Sequence, residues 1–188
     1  MNDLSAMRQR LLELVRRRAL RFGEIVLASG QKSPFYIDCK MVLLQSEGAA
    51  LVGELVYEMT KDLELDALGG PEVGAIPIAT AAVIAYHRHG RGMEGFFVRK
   101  AVKEHGTQKK IEGQFEPGYR IALLEDVTTT GASSLQVAET IEQAGGKILC
   151  VVAVLDREQG AAERFAARGL NFLPILRLRD LGLSFDTK

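Results

Sequence analysis

Cysteine is scarce in this sequence, and so is any excess of charge. The two cysteines, Cys39 and Cys150, have a spacing that fits neither a disulfide framework nor a metal site. Lysine and arginine number 24, as do aspartate and glutamate, so the formal net charge is zero. Neutrality is not typical of a general nucleic-acid or membrane-surface binder. We therefore expect no nucleic acid and no membrane as partner, and any anionic ligand must meet a local cluster of cations.

Long hydrophobic runs are lacking too. Charges interrupt the apolar positions of residues 1–18, which argues against a signal peptide or a membrane span. Scarce cysteine fits a reducing compartment, and the sequence thus predicts a cytoplasmic protein. The length is that of one ordinary domain, 1–188, and the apolar fraction of 47% suffices for a sizeable core.

Strand and helix patterns alternate along most of the chain. A predicted helix at 4–20 and two extended stretches at 24–28 and 35–40, joined by a turn, come first. Strands are then expected at 66–70, 94–100, 119–126, 147–156 and 171–177, and helices at 47–62, 75–87, 132–144 and 160–168. This alternation indicates an α/β fold, with a central parallel sheet flanked by helices.

Ligands of such sheets bind beyond the carboxyl ends of the strands. Unusual residues follow three of these ends, at 69–74, from Arg99 onward and from Glu125 onward. We therefore expect the functional site where these three segments meet.

Residues 123–134, LLEDVTTTGASS, carry the strongest signal. A buried strand runs into two acids, then into small hydroxyl residues and a glycine, then into a helix. The first N–H groups of a helix lack intrahelical partners and, with the helix dipole, form a phosphate site. Hydroxyl donors are available at Thr128, Thr129, Thr130 and Ser133, while Gly131 and Ala132 have no bulk that would hold a phosphate away.

Glu125 and Asp126 would repel a phosphate, so their place needs another reason. A carboxylate can accept hydrogen bonds from both hydroxyls of a sugar diol. Because adjacent strand residues face opposite ways, one acid can be structural unless the strand ends between them. The alternative is an ordinary helix start, with favourable acids and threonine caps.

Two acids, two variable positions and Thr-Thr-Gly at a strand-to-helix turn resemble the motif by which type I phosphoribosyltransferases bind 5-phosphoribosyl-1-diphosphate (PRPP). The resemblance implies that the two acids contact the ribose hydroxyls and serve catalysis, and that the following loop binds the 5-phosphate. It assigns PRPP binding to Glu125, Asp126, Val127, Thr128, Thr129, Thr130, Gly131, Ala132 and Ser133.

Between residues 99 and 110 there are five cations and one carboxylate. A solvated charged loop and a lid over a polyanion both fit this composition. The string VRKAVKEHGTQKKIEG resembles the mobile loop of orotate phosphoribosyltransferases. That resemblance implies that Arg99, Lys100, Lys103 and His105 contact PRPP, and that Lys103 matches the lysine on which catalysis depends most. It also implies a homodimer in which the 99–113 loop acts in the neighbouring subunit's site.

The base end of the site is indicated by residues 27–38, LASGQKSPFYID, which resemble the hood segment of the same family. A small N-terminal hood is therefore expected, mainly at 20–45. Phe35 and Tyr36 can offer a flat surface to a base or pack in the core.

Arg157 matches the family arginine that contacts orotate, and an arginine guanidinium can form two parallel hydrogen bonds with a carboxylate. A structural salt bridge is the alternative for Arg157. Thr129 matches the threonine that touches orotate.

The turn GGPEVG at 69–74 occupies the position of the family's diphosphate loop. Two positions depart from the family pattern, because many relatives have lysine in place of Ala28 and Val73. Alanine and valine cannot make the contacts that those lysines make.

The resemblance implies transfer of ribose 5-phosphate from PRPP to orotate, with Mg²⁺ as cofactor held mainly by substrate oxygens rather than by a protein metal site. Two alternatives remain. A purine phosphoribosyltransferase would share 123–134 but would not need Arg157 or 27–38. A PRPP-sensing regulator would need a nucleic-acid reader module, for which about 20 residues before the resemblance begins are too few.

Overall fold

The computed structural model describes residues 3–26, 32–100 and 109–184, excluding the side chains of 24–26 and 32. In these ranges the helices are α1 (Leu4–Leu14), α2 (Lys40–Leu43), α3 (Ser46–Thr60), α4 (Ala75–Arg88), α5 (Ala132–Gln143) and α6 (Ala161–Ala167). The strands are β1 (Leu20–Val26), β2 (Lys32–Ile37), β3 (Ala67–Pro71), β4 (Glu94–Val98), β5 (Ile111–Gly113), β6 (Arg120–Thr128), β7 (Lys147–Asp156) and β8 (Asn171–Arg177).

The central sheet has the strand order β5-β4-β3-β6-β7-β8. All its strands are parallel except β5, which pairs antiparallel with β4 at one edge. The predicted α/β fold is confirmed, with one correction: the sheet is mixed rather than wholly parallel. β5 escaped prediction because three residues are too few to show a period of two.

Both faces of the sheet are buried, which explains its continuous apolar strands. Ala122 and Leu124 of β6 belong to one core cluster, whereas Ile121 and Leu123 belong to the cluster on the other face. Helices α4, α5 and α6 connect successive parallel strands. The carboxyl ends of β6 and β7 lie level with each other, since Thr128 pairs with Asp156.

The N-terminal region differs in detail from the prediction. The helix expected over 4–20 is α-helical only to Leu14, and a wider π turn follows over Val15–Ala19. β1 and β2 then form an antiparallel hairpin apart from the central sheet, in the region predicted as a hood. The turn between them, 27–31, lies outside the described residues, and so does Ala28.

The hood packs directly onto the main body of the chain. Phe35 and Ile37 of β2 are buried in the same core cluster as Leu124 of β6 and Leu155 of β7. The hood therefore lies close to the strand ends where the site is expected. Among the described helices, none has both the length and the apolarity needed to cross a bilayer.

Candidate active site

β6 carries the two acids and does not end between them. The strand continues to Thr128, so both acids lie within it. Glu125 is only 5% exposed, whereas the Asp126 side chain is partly open to solvent. Asp126 is therefore the acid whose carboxylate is accessible to a ligand.

Glu125 is held by a residue of the following helix. Its Oε2 accepts a hydrogen bond of 2.7 Å from the Oγ of Ser134, which is fully buried in the first turn of α5. Burial raises the pKa of Glu125, the charge of Asp126 raises it further, and the Ser134 hydrogen bond offsets this only in part. The sequence analysis named Ser133 and missed Ser134. Ser134 lies on the buried face of α5 with Ala138 and Ile141, whereas Ser133 lies on the exposed face.

Asp126 is oriented by its own backbone and by the hood. Its Oδ1 accepts a hydrogen bond of 2.9 Å from the amide of Val127, and its Oδ2 lies 3.7 Å from the Nζ of Lys40. Gly74, between β3 and α4, lies against the same carboxyl group. A Cβ at position 74 would come within 2.4 Å of Asp126 Cγ, so the close approach requires glycine.

The predicted phosphate turn connects β6 to α5. Gly131 has a φ of +76° and directly precedes the helix, a conformation that glycine adopts without steric cost. Thr129 and Thr130 are half-buried, and Ala132 and Ser133 are exposed. The Thr128 hydroxyl is buried and has no hydrogen-bond partner among the described residues. The turn thus presents hydroxyl groups and the free amides of a helix start to the solvent side.

The turn before α4 is tied to the start of the basic segment. The amide of Glu72 donates to the carbonyl of Val98 at 2.9 Å, and its carboxylate accepts from the amide of Lys100 at 2.8 Å. The same carboxylate lies 3.9 Å from the Arg99 guanidinium. The peptide bond between Glu72 and Val73 is cis, and Val73 is exposed. The structure thus joins the predicted diphosphate loop to the predicted lid, through a residue that the sequence analysis did not single out.

Arg99 and Lys100 are the predicted loop residues that the structure describes; Lys103 and His105 lie outside the described residues. The amide of Arg99 donates to the carbonyl of Lys110 at 2.8 Å, so the two ends of the basic segment meet. A cavity of about 360 Å³ separates this segment from α5. Its lining includes Arg99, Lys100, Lys110 and Ser133. The cations therefore face one side of α5, from Ser133 to Thr140.

Arg157 directly follows β7 and lies under the hood. It is 8% exposed, its guanidinium carbon is 6.0 Å from the centroid of the Phe35 ring, and burial lowers its pKa. Its amide donates to the carbonyl of Thr128 at 2.8 Å, which links it to the phosphate turn. Phe35 is buried, as the core-packing interpretation predicted, while Tyr36 is exposed.

The turn that carries Arg157 is braced from behind. Glu158 has a φ of +56°, and its amide donates to Asp156 Oδ1 at 2.8 Å. Its carboxylate accepts hydrogen bonds from the amide of Arg179 at 2.9 Å and from Nε at 2.5 Å. The sequence analysis did not detect this contact, which joins residues 21 positions apart.

Among the described residues, no group of three or more His, Cys, Asp or Glu side chains could hold a metal ion. Asp126 offers an accessible carboxylate at the cleft. One carboxylate can assist a Mg²⁺ ion that takes its other ligands from phosphate oxygens and water.

No family model matches the sequence. The sequence is 46% identical over 180 residues to the orotate phosphoribosyltransferase of Bradyrhizobium sp. (strain ORS 278), covering 94% of this chain and 97% of that protein. It is 42% identical over 175 residues to the orotate phosphoribosyltransferase of Mycobacterium avium (strain 104), covering 93% of this chain and 96% of that protein.

Solved structures of orotate phosphoribosyltransferases are also similar to this chain. The Mycobacterium tuberculosis H37Rv orotate phosphoribosyltransferase in complex with PRPP has a TM-score of 0.80 at 37% identity, over 94% of this chain and 99% of that one. The complex of the same enzyme with Fe(III) dicitrate has a TM-score of 0.85 at 40% identity, with the same coverage. An adenine phosphoribosyltransferase from Rhodothermus marinus has a TM-score of 0.62 at 20% identity and so shares the fold alone.

The fold, with its acids and hydroxyl turn at the end of β6, is that of the type I phosphoribosyltransferases. Within that class, the chain belongs to the orotate phosphoribosyltransferase family, the pentosyltransferases of pyrimidine biosynthesis. The resemblance noted from the sequence is confirmed, and neither the purine enzyme nor the PRPP-sensing regulator is favoured.

Proposed function

We propose that this chain transfers ribose 5-phosphate from PRPP to orotate at the carboxyl ends of β3, β6 and β7, within one domain that includes the hood. One observation carries the proposal. Asp126, the hydroxyl turn that starts α5, and Arg157 are joined by short hydrogen bonds at the carboxyl ends of β6 and β7. Asp126 suits a ribose diol, the hydroxyl turn suits a phosphate, and Arg157 suits a carboxylate.

The 5-phosphate binds at the start of α5. The amides of the first helical turn and the hydroxyls of Thr129, Thr130 and Ser133 donate to its oxygens. The buried Thr128 hydroxyl is a further donor at the base of the turn. Val127, Gly131 and Ala132 contribute backbone. Each hydrogen bond to a charged group contributes about 1.5–3 kcal/mol, so a few of them decide the affinity.

The ribose hydroxyls bind to the acids of β6. Asp126 contacts them directly, because its carboxylate is the accessible one. Glu125 remains assigned to the same subsite, and its buried contact with Ser134 also fixes the start of α5 against β6.

The chemical step is a displacement at the anomeric carbon. The bond from C1 of the ribose to the diphosphate oxygen breaks and the oxygen keeps the electron pair, while a ring nitrogen of orotate forms the new bond and releases its proton. The ribose passes through an oxocarbenium-like state, so no covalent enzyme nucleophile is required. The products are orotidine 5′-phosphate and diphosphate.

Cations stabilise the charge that develops on the leaving diphosphate. Arg99 and Lys100 lie beside the turn before α4, and they share a cavity with Ser133 in the first turn of α5. By resemblance Lys103 and His105 belong to the same set, with Lys103 as the main catalytic cation. We propose that the chain forms a homodimer, and that the 99–113 loop serves the neighbouring subunit's site.

Orotate binds between Arg157 and the hood. The guanidinium forms a two-pronged contact with the orotate carboxylate, and Thr129 touches the base. Burial of Arg157 excludes water, which strengthens its attraction to a carboxylate.

Mg²⁺ is the proposed cofactor. Diphosphate and ribose oxygens would hold most of its coordination sites. Asp126 is the protein carboxylate that could assist, because Mg²⁺ prefers oxygen ligands. When bound, it neutralises charge on the diphosphate.

A cytoplasmic location is also proposed. Cys39 and Cys150 are free and buried, as is usual in a reducing compartment. PRPP and orotate are the proposed small-molecule partners; nucleic acid and membrane are not.

A base panel tests the substrate assignment. Purified protein is mixed with PRPP and Mg²⁺ and with one of orotate, uracil, adenine, hypoxanthine or guanine, and the nucleotide formed is measured by chromatography. We expect product with orotate and none with the purines. Turnover of a purine with orotate left unchanged would overturn the proposal.

A further inference from the structure

Lys40 connects the hood to the ribose subsite. It is the first residue of α2, just after hood strand β2, and its Nζ lies 2.7 Å from Asp38 Oδ1 and 3.7 Å from Asp126 Oδ2. No pattern in the sequence singles out Lys40, which ends the predicted extended stretch 35–40.

The geometry that holds Lys40 in place is local and well defined. Asp38 accepts a hydrogen bond of 3.1 Å from the amide of Lys40 and also pairs with its ammonium group. Asp38 itself is anchored, since its amide donates to the carbonyl of Ala19 at 3.1 Å. The backbone at Lys40 is thus anchored within the hood, and the ion pair with Asp38 holds the ammonium group near Asp126.

Asp126 is engaged at both oxygens before any ligand binds. Oδ1 accepts from the amide of Val127, and Oδ2 faces the ammonium of Lys40. Gly74 lies against the same carboxyl group. The turn Pro-Glu-Val-Gly at 71–74 supplies an acid and no cation, so it cannot take over the role of Lys40.

The surroundings of Asp126 make a cation there valuable. Glu125 precedes it, Asp38 lies beyond Lys40, and Glu72 is in the adjacent turn. Without a nearby positive charge, this group of carboxylates would repel a polyanionic substrate.

We propose that Lys40 is a positioning residue for PRPP: it holds the Asp126 carboxylate oriented toward the ribose hydroxyls, and so couples the hood to the ribose subsite. This inference rests on the proposed function. The contact between Asp126 and ribose exists in both the bound substrate and the transition state. Loss of Lys40 therefore weakens PRPP binding more than it slows the chemical step.

Three variants test the proposal. Lys40→Met removes the charge and keeps most of the stem, and Lys40→Arg keeps the charge. Lys61→Met is the matched control, because Lys61 is also a half-exposed lysine, paired with Glu58 at 2.7 Å, and it follows α3 rather than the site. For each variant, kcat and the separate KM values for PRPP and orotate are measured, and thermal melting checks the fold.

We expect Lys40→Met to raise the KM for PRPP about tenfold, the effect of losing one charge contact, with kcat and the KM for orotate within about twofold of the wild type. Lys40→Arg should recover most of the loss, and Lys61→Met should match the wild type. An unchanged KM for PRPP in Lys40→Met would overturn the inference. So would equal damage in Lys40→Met and Lys40→Arg, or a parallel rise of both KM values, since either result indicates hood packing rather than charge.

Failure of the inference is distinguishable from failure of the proposed function. If the wild-type chain does not turn over orotate, the function itself is wrong. If wild type and Lys40→Met turn over orotate with the same kinetic constants, only the role of Lys40 is wrong.

Discussion

The Glu125 carboxylate and the Ser134 hydroxyl form a buried hydrogen bond of 2.7 Å that ties strand β6 to the first turn of α5. The residues between them include the whole phosphate turn. The shape of that turn therefore depends on a buried contact made behind it.

Ser134→Ala should damage stability and PRPP binding together. Removing the donor leaves a buried carboxyl group less satisfied, which costs about 1–3 kcal/mol in the free energy of unfolding. Urea denaturation and PRPP titration measure the two effects. Ser133→Ala is the control, because Ser133 is exposed: PRPP affinity should fall with stability unchanged. Equal stability of the two variants would contradict this interpretation.

Gly74→Ala should abolish most activity by displacing Asp126. The added Cβ would lie 2.4 Å from Asp126 Cγ, so the carboxylate must move. A shift of about 1 Å in a catalytic group can cost roughly a hundredfold in rate. The measurement is kcat/KM for PRPP. Gly92→Ala provides the control, because a Cβ there meets nothing within 4 Å. If the two glycine variants had the same activity, Asp126 would not be a ribose ligand.

Arg157→Lys should impair orotate binding selectively. Lysine keeps the charge but cannot form the two-pronged contact, so we expect the KM for orotate to rise about tenfold to a hundredfold, with the KM for PRPP nearly constant. Arg168→Lys, which alters a surface pair with Glu142 at 2.8 Å, should leave both values unchanged. If Arg157→Lys raised the KM for PRPP more than the KM for orotate, the assignment of Arg157 to orotate would be wrong.

At the amino ends of β3 and β6, Asp66 and Arg120 should make stability depend on acid pH. Hydrogen bonds from the Arg120 side chain and amide lower the pKa of Asp66 to about 2. The folded pKa lies below that of the unfolded chain, so this contribution is full above about pH 4 and is lost as pH falls toward 2. The stability advantage of the wild type over Asp66→Asn, measured by urea denaturation, should narrow across that range. If the difference in the free energy of unfolding between wild type and Asp66→Asn did not change with pH, the Asp66–Arg120 ion pair would not be its source.

The strand-to-helix turn at 123–134 could be predicted because local patterns determine it. An apolar run forms a buried strand, and glycine with small hydroxyl residues starts a helix. Arg99, Lys100 and Arg157 likewise follow strands that the sequence reveals, so their place at the sheet edge followed from the parallel topology.

Contacts between distant parts of the chain could not be predicted in the same way. Lys40 reaches Asp126 only because the hood folds over the end of β6, and Glu72 meets Lys100 only because β3 and β4 are neighbours. Strand β5 has too few residues to show a pattern, and the π turn at Val15–Ala19 continues an apolar face that reads as ordinary helix.

Titration calorimetry with PRPP in the presence of Mg²⁺ tests the central claim most directly, because it asks whether the turn after Asp126 binds a sugar phosphate at all. We expect a saturable heat with one site per chain, strongly weakened in Asp126→Asn and unchanged in the distant Lys61→Met. Absence of heat for the wild-type protein, or binding that Asp126→Asn leaves intact, would contradict the account.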